Sequence, residues 1–223
     1  MTWKWVVVLM TLVACSSAYA GQFSFSEREK QQQDQEQQKK ADEQQYIQSL
    51  LVTPCGKGLS GKKTAVIVAE RHSDGGYVTE QSNYGLPFTE INSRLTQIGL
   101  RTCTQEEIKA QIKAAEIEAF MNNDPDAQMG AASRLGASFM LRGLIESRVT
   151  ENKVVNVTEV AVTVSLVLVG SNGKIVGQSS VSGESYSGSD TIGTALNIVK
   201  EQADRAVAEL YSSYCRELAD NKQ

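Results

Sequence analysis

A run of alternating apolar residues between positions 154 and 169 constrains the fold more than any other segment of this chain. Apolar residues at every second position share one face of a β-strand, and the polar or small residues between them share the other face. The pattern therefore predicts a long strand with one fully buried face. The residues on that face are Val160, Val162, Val164, Leu166 and Leu168.

Two further strands flank this one, over residues 137–147 and 174–182. Asn172-Gly173, which separates the last two strands, is the strongest hairpin signal in the chain, because both residues tolerate the positive φ of a tight turn. The sequence thus predicts an antiparallel meander of three strands.

The region before the meander alternates between strand and helix patterns. Residues 64–69 form a short, nearly all-apolar run, typical of a central strand covered on both faces. Residues 100–103 predict a second, shorter strand. Three helices are predicted around these strands: one from Pro87 or Thr89 to Ile98, one that begins at the capping box Thr104-Gln105-Glu106-Glu107 and runs to about Met121, and one from Asp124-Pro125 to Leu135-Gly136.

A long amphipathic helix from about Asp190 to Tyr214 closes the chain, and its apolar stripe must lie on the sheet. Helices before and after the meander can cover both faces of one sheet. The order of elements therefore predicts a three-layer α/β sandwich with a mixed sheet of about five strands.

The first twenty residues are typical of an export signal, with Lys4 ahead of an apolar run over residues 5–14. This run is too short to span a bilayer. Leu12-Val13-Ala14-Cys15 is similar to a bacterial lipobox, in which Cys15 becomes the acylated first residue, and we favour this site. The alternative is cleavage after Ala18-Tyr19-Ala20 by ordinary signal peptidase. By similarity to other bacterial lipoproteins, the two serines after Cys15 predict the outer membrane, with a lipid anchor as the sole membrane attachment.

A glutamine- and charge-rich stretch follows the signal. Residues 27–45 contain no branched aliphatic or aromatic residue, and residues 31–45 hold eight glutamines. Such a stretch buries nothing, and it is either a solvated helix or an unfolded tether. We accordingly expect a signal peptide at 1–20, a tether at 21–49, an α/β domain at 50–217 and a polar tail at 218–223.

Charge and composition exclude several classes of partner. The formal net charge is −4 and the pI about 5.2, and no basic block is available to neutralise phosphates, so nucleic acid is not an expected partner. One histidine and four cysteines, with no pair at C-x-x-C spacing, leave few ligands for zinc or haem. We therefore expect no cofactor and no metal.

The two candidate catalytic motifs in the sequence lack the arrangement that their chemistry requires. Residues 56–62 have the spacing of a phosphate loop, but Lys63 replaces the Ser or Thr that binds magnesium, and the segment precedes a strand. His72, Ser73 and Asp74 are the residue types of a hydrolytic triad, yet neighbours on one loop do not easily align as nucleophile, base and orienting group. A non-catalytic protein is therefore expected, with a periplasmic hydrolase that uses His72 as the alternative.

The order of elements, together with the stretch Arg134-Leu135-Gly136-Ala137-Ser138-Phe139-Met140-Leu141-Arg142-Gly143, resembles an envelope family. This family includes the curli-secretion lipoprotein CsgG, the lipoprotein activators of penicillin-binding proteins and the amino-terminal domain of TolB. The resemblance covers roughly residues 63–210, including the closing helix with its alanine-rich repeat from Thr194 to Val207. It implies a fold and a compartment, and it implies partner contacts on the sheet and its loops. The connections 148–153 and 170–173 are too short for the membrane-crossing hairpins of CsgG, which favours the relatives that form no pore.

The loop over residues 71–88 is the predicted contact region. It leaves the carboxyl end of the first strand and carries Tyr77, Tyr84, Leu86 and Phe88 among three glycines. Exposed aromatic residues on loops are common anchors of protein interfaces. Tyr77, Tyr84 and Phe88 are therefore the predicted partner-binding residues, although Leu86 and Phe88 could instead fasten the next helix to the core.

Three cysteines remain after the signal, in a compartment where disulfides persist. In the predicted topology the closing helix returns antiparallel to the first strand, so Cys215 ends beside Cys55, whereas Cys103 lies at the far end of the second strand. We therefore predict a Cys55–Cys215 disulfide. The rival pair is Cys55–Cys103, which needs the segment before the first strand to double back across the sheet edge.

Taken together, these patterns predict an exported accessory protein of the bacterial envelope, held in the periplasm at the outer membrane. It would act through contacts with envelope proteins in a secretion, flagellar or peptidoglycan-synthesis machine. A ring-forming subunit of a secretion complex is a further alternative, since the sequence sets neither the partner nor the oligomeric state.

Overall fold

The computed structural model describes residues 25–53, 55, 58–71, 77–78, 85–154 and 157–220. The helices are α1 (Phe25–Leu51), α2 (Leu86–Gln97), α3 (Gln105–Gln111), α4 (Ala114–Met121), α5 (Pro125–Leu135) and α6 (Thr191–Asp220). The strands are β1 (Lys63–Arg71), β2 (Tyr77–Val78), β3 (Arg101–Thr102), β4 (Phe139–Asn152), β5 (Val157–Gly170) and β6 (Ile175–Ser187).

One mixed sheet contains all the described strands. Its order is β2-β1-β4-β5-β6, and β3 pairs with the beginning of β1 outside this row. β1 is parallel to β3 and β4, while β4, β5 and β6 form the antiparallel meander, so β6 runs parallel to β1. The predicted α/β class with a mixed sheet is confirmed.

Helices cover the two faces of the sheet to different extents. On one face, α2 and α6 bury the larger core cluster, which contains all five of the alternating apolar residues of β5. On the other face, α3, α4 and α5 cover β1 and the start of β4 through a second cluster that includes Ile67, Phe120 and Met140. The two core clusters on opposite faces make the domain a three-layer sandwich.

Small residues let α6 approach β6 closely. A Cβ atom on Gly183 would lie 2.7 Å from Ile198, and one on Gly177 would lie 3.3 Å from the Leu210 carbonyl. Between them, the Ser179 hydroxyl donates a hydrogen bond to the Ala206 carbonyl (2.8 Å). The order of these contacts shows that α6 runs antiparallel to β6, as the topology predicts.

Two of the predicted helix starts have the expected hydrogen bonds. The Thr104 hydroxyl accepts from the Glu107 amide (3.2 Å), and the Glu107 carboxylate accepts from the Thr104 amide (2.9 Å), so the capping box is confirmed. Asp124 caps α5 by accepting from two backbone amides, and Gly136 ends that helix at φ 57°.

The prediction of one helix from Gln105 to Met121 is wrong. Ile112 adopts an extended conformation (φ −121°, ψ 127°) and is buried, which separates α3 from α4. α4 then begins anew, with the Lys113 amide donating to the Glu116 carboxylate (3.0 Å). Burial of Ile112 in the second core cluster accompanies the interruption of the helix.

The β5–β6 hairpin uses a turn of four residues, in which Gly173 alone takes a positive φ (82°). Asn172 contributes differently from the prediction, because its side-chain oxygen accepts from the Lys174 amide (3.1 Å). The β5–β6 pairing has a register shift close to this turn, between Leu168 and Val169 of β5. All three strands of the meander run past their predicted carboxyl ends.

The chain divides into two compact units, Met1–Ala41 and Asp42–Gln223. The described part of the first unit is helical, and its side chains over residues 28–41 are exposed, so the described part of the predicted tether is a helix, a choice that the sequence left open. In the second unit, Ile47 and Leu51 line a hollow together with Val207 and Ala208 of α6. Across the described part of the chain, no helix combines the length and the apolar character needed to cross a membrane.

Candidate functional site

An apolar groove with a volume of about 310 Å³ lies where β1 and β4 approach their carboxyl ends. Nine of its lining side chains are apolar, and the polar exceptions are Glu70, Ser147 and Thr191. We call this surface the apolar groove. Its apolar lining consists of Pro87, Ile145, Val149, Val160, Val162, Ile192, Ala195, Leu196 and Val199.

Four elements contribute the apolar lining of the groove. β4 and β5 contribute the floor, because Ile145, Val160 and Val162 alternate onto the face that carries α2 and α6. The first turns of α6 form one wall, and the start of α2 approaches through Pro87. The groove is thus the part of the core-facing sheet surface that α2 and α6 do not cover between them.

The rim of the apolar groove is exposed to solvent. Val149 retains 54% of its accessible surface and Ile192 retains 74%, while the floor residues beneath them are buried. Removal of such apolar surface from water is favourable by roughly 25 cal/mol per Å². The groove is therefore suited to bind an apolar side chain or helix face of another molecule, in the way that protein interfaces use concave apolar pockets.

The opposite end of the domain is closed by covalent and packing contacts. Cys55 and Cys215 form a disulfide with their Cα atoms 5.4 Å apart, which is the pair that the topology argument favours. The Tyr211 hydroxyl donates to the Thr53 carbonyl (2.8 Å), and the Phe139 and Tyr214 rings meet edge to face with centroids 5.8 Å apart. Burial raises the pKa of the Tyr214 hydroxyl.

The third cysteine of the domain is isolated from this bridge. Cys103 is a free thiol within the second core cluster, 3% exposed. Burial is the main cause that raises its pKa, so the thiol is protonated at neutral pH. A buried, protonated thiol is a poor nucleophile and a poor metal ligand. Cys103 therefore acts as a small apolar core residue.

Several predicted site residues lie outside the described part of the chain. These are Cys15, the candidate lipidation site, Tyr84 of the contact loop, and His72 of the hydrolase alternative. Tyr77 is described by its backbone alone, which pairs with Arg71 at the end of β1. Phe88 is half-buried and packs against the larger core cluster, which is the packing role that the sequence left as an alternative.

Sequence reasoning missed the apolar groove, although its components were visible. Ile192 and Leu196 lie in the first turns of the closing helix, where the apolar stripe of α6 extends beyond the buried part of the sheet. Val149 belongs to a segment that the sequence assigned to a connection but the structure assigns to β4. The signal that could have located this surface is the apolar stripe of α6, which already begins at Ile192, in a turn of the helix that the sheet does not bury.

Charged groups of the described residues are arranged in pairs on the surface. In α3, the Thr104 amide and then Lys63, whose Nζ lies 3.2 Å from the carboxylate, lower the pKa of Glu107. The Lys113 amide, followed by Arg134, lowers the pKa of Glu116. Within the described ranges, no group of three or more His, Cys, Asp or Glu residues could hold a metal ion.

Comparison with known proteins gives structural neighbours alone. No family model and no curated protein matches the chain. Among solved structures, the hypothetical protein CT253 from Chlamydia trachomatis is similar at a TM-score of 0.43 and 16% identity, covering 73% of this chain and 96% of its own. Lipoprotein GNA1162 from Neisseria meningitidis is similar at 0.40 and 16%, covering 66% and 98%. The carboxyl-terminal domain of LpoB from Salmonella enterica is similar at 0.37 and 12%, covering 59% and 93%.

The neighbours thus include bacterial envelope lipoproteins of low identity. With TM-scores this low, the likeness carries no argument about activity or partners. Membership in the CsgG- and TolB-like family stays a prediction from the sequence.

Proposed function

We propose that this protein is a non-catalytic accessory protein of the bacterial envelope that binds an apolar segment of a partner protein in its groove. The observation that carries the proposal is a concave surface with nine apolar lining residues, whose floor is buried and whose rim exposes Val149 and Ile192 to solvent. A surface of this size and chemistry is characteristic of protein contacts.

The disulfide supports an envelope location. Cys55–Cys215 requires an oxidising compartment to persist, and the export signal predicted at the amino terminus leads to one. Lipidation of Cys15, with a tether that ends near residue 49, would hold the domain in the periplasm at the outer membrane. Cys15→Ala should then release the protein from membranes or stall its processing, and a mature protein that begins at Gly21 would contradict lipidation.

The chemistry of the groove supports binding over catalysis. Among the described residues, its polar side chains are one carboxylate and two hydroxyls, Glu70, Ser147 and Thr191, and no histidine or lysine stands beside the carboxylate in that lining. The machine that the partner belongs to, whether for secretion, flagellar assembly or peptidoglycan synthesis, follows from the partner's identity. Tyr77, Tyr84 and Phe88 stay predicted contact residues, and the Tyr77→Ala/Tyr84→Ala variant should weaken capture with nearly unchanged thermal unfolding.

Photocrosslinking and capture from envelopes test the groove directly. The full chain carrying Val149→Lys and Ile192→Lys should lose most of the partner captured by the wild type, because two ammonium groups would have to be buried in an apolar contact. Ile175→Lys is the matched control. Ile175 is an apolar residue about as exposed (50%) as Val149, and it lies at the start of β6, outside the groove. Both variants should unfold at nearly the wild-type temperature.

Equal capture by the wild type and the groove variant would overturn the groove as the binding site. Loss of capture by the Ile175→Lys control as well would show a nonspecific effect of added charge, and would count against the proposal in the same way.

A further inference from the structure

The outer edge of β6 is a second surface with unused bonding capacity. β6 is the last strand of the sheet, and its thirteen residues pair with β5 on one side. A strand at the edge of a sheet presents a row of backbone N–H and C=O groups that are able to pair with another strand.

One hydrogen bond shows which residues of β6 direct these groups outward. The Gln178 amide donates to the Ser213 hydroxyl of α6 (3.1 Å), and not to β5. Because alternate residues of a strand direct both backbone groups to the same side, Ser180, Ser182, Glu184 and Tyr186 also direct theirs outward. Within the described ranges, no backbone–backbone hydrogen bond outside the sheet ladders uses these four residues.

This edge lacks the usual protection against pairing. Natural edge strands carry lysine, proline or bulges, or they are very short. β6 has no proline and no basic residue, Glu184 is its one charged residue, and its register shift lies at the opposite end, beside Ile175. Such an edge is expected to have a partner strand.

We propose that β6 pairs antiparallel with β6 of a second copy of this chain, about a two-fold axis at Ser182 or Gly183. With the axis at Ser182, Glu184 faces Ser180 of the second copy. With the axis at Gly183, it faces Ser182. Either register keeps the two Glu184 carboxylates apart, and the other residues next to the axis, over 179–183, are serines, a valine and a glycine without charge.

A ladder of hydroxyl groups favours the same pairing. On the sheet face opposite α6, Ser182 bonds Thr163 (3.0 Å) and Ser180 bonds Ser165 (3.1 Å) across the β5–β6 ladder. Each hydroxyl has one donor and two acceptor sites. Ser180 and Ser182 therefore retain capacity for a third strand, and serine or glutamate of a second β6 supplies partners of the right kind.

α6 packs on the face of β6 and leaves most of its edge open. A Cβ atom on Gly183 would lie 2.7 Å from Ile198, so the helix lies over β6 at the proposed axis, but it reaches the edge itself at Gln178, through Ser213. The proposed pair is therefore centred on residues 180–184, beyond the position that Ser213 occupies.

Cysteine crosslinking in envelopes tests the pair. In a full chain that carries Cys103→Ser, Ser182→Cys should give a covalent dimer with a short bismaleimide, whose reach covers both registers. Ser165→Cys is the matched control, because Ser165 lies on the same sheet face but on the inner strand β5. A dimer with Ser182→Cys and none with Ser165→Cys supports the pairing, and equal yields for the two would overturn it.

Sedimentation of the purified chain gives an independent measurement. The wild type and Ser182→Ala should associate to a dimer as concentration rises, while Ser182→Pro should stay monomeric, because proline removes an outward N–H. Circular dichroism checks that the proline variant is folded, and Ser182→Lys, which brings like charges to the axis, replaces it if it is not.

Three outcomes would overturn the inference: a wild type that is monomeric throughout, a dimer that survives both Ser182→Pro and Ser182→Lys, or a monomer whose edge binds an extended peptide instead. The groove variant Val149→Lys/Ile192→Lys should still dimerise, which separates this inference from the proposed function.

Discussion

The two ends of the sheet differ in how they finish the core. At the end where β1 begins, a disulfide, the Tyr211–Thr53 hydrogen bond and the Phe139–Tyr214 ring contact close the space between the sheet and α6. At the end where β1 and β4 finish, α2 and α6 both begin, and the sheet surface that they leave uncovered forms the apolar groove. We call these the closed end and the open end.

If the groove binds a partner as proposed, stability and binding depend on separate places in this domain. At the closed end the cysteines bond to each other and the aromatic rings pack against each other, so little of their apolar surface is left for a partner. The open end leaves Val149 and Ile192 in water, which costs free energy in the isolated domain, and the proposed partner would recover this free energy by covering them. Substitutions at the two ends should therefore affect different measurements.

The largest expected effect is at the closed end. Cys55→Ser/Cys215→Ser should lower the free energy of unfolding by about 4 to 5 kcal/mol, because the bridge joins residues 160 positions apart and restricts the unfolded chain. Denaturant unfolding measures the loss. Reductant should produce the same loss in the wild type and almost none in the double variant. A double variant as stable as the wild type would show that the closed end is held by packing alone.

Removal of the cap on α3 should have a smaller effect. Thr104→Ala deletes the hydroxyl that accepts from the Glu107 amide and should cost about 1 kcal/mol. Thr104→Ser keeps the hydroxyl and is the control, with a melting temperature close to the wild type. A cost shared equally by the alanine and serine variants would mean that the methyl group, and not the hydrogen bond, stabilises this turn.

Acid should weaken the contacts of α3 that Glu107 makes. The pKa of Glu107 is lowered in the folded state by the Thr104 amide and by Lys63, which lies at the start of β1. A carboxylate with a lowered folded pKa stabilises the protein above its unfolded pKa, near 4.3, and this stabilisation is lost as pH falls through the folded pKa. The melting temperature should therefore fall less steeply from neutral to acidic pH for Glu107→Gln than for the wild type. Identical slopes would contradict the assignment.

The smallest effect on stability is expected at the open end. Val149→Lys and Ile192→Lys replace exposed side chains, so each should change the free energy of unfolding by no more than about 0.5 kcal/mol. Denaturant titration of the two variants measures this beside the capture experiment. A loss comparable to that of the disulfide variant would make the groove part of the stabilising core and would remove the contrast between the two ends.

Local signals predicted much of the fold. The capping box at Thr104, the Asp124-Pro125 start and the Gly136 stop each depend on hydrogen bonds within a few residues, so the sequence alone locates them. The alternation of apolar and polar residues in β5 is likewise local, and it determines which face of that strand is buried. The predicted topology followed from the strand order, and it brought Cys55 and Cys215 to the same end of the domain.

Other features depend on contacts between distant segments. β6 extends to Ser187 through Gly183, Ser185 and other residues of low strand propensity, because pairing with β5 supplies the hydrogen bonds. The interruption at Ile112 is coupled to burial of this side chain beneath the sheet. The apolar groove depends on where two helices end relative to each other, which no single segment of sequence records.

The disulfide also determines how the domain would respond to mechanical load. A pull applied through α1 reaches Cys55, which precedes β1 in the chain and is bonded to Cys215 near the end of α6. Tension would therefore be shared between β1 and the helix that packs along β6. Under reducing conditions only noncovalent contacts, such as the Tyr211–Thr53 hydrogen bond, would pass this load to α6, so the force needed to unfold the domain should be lower.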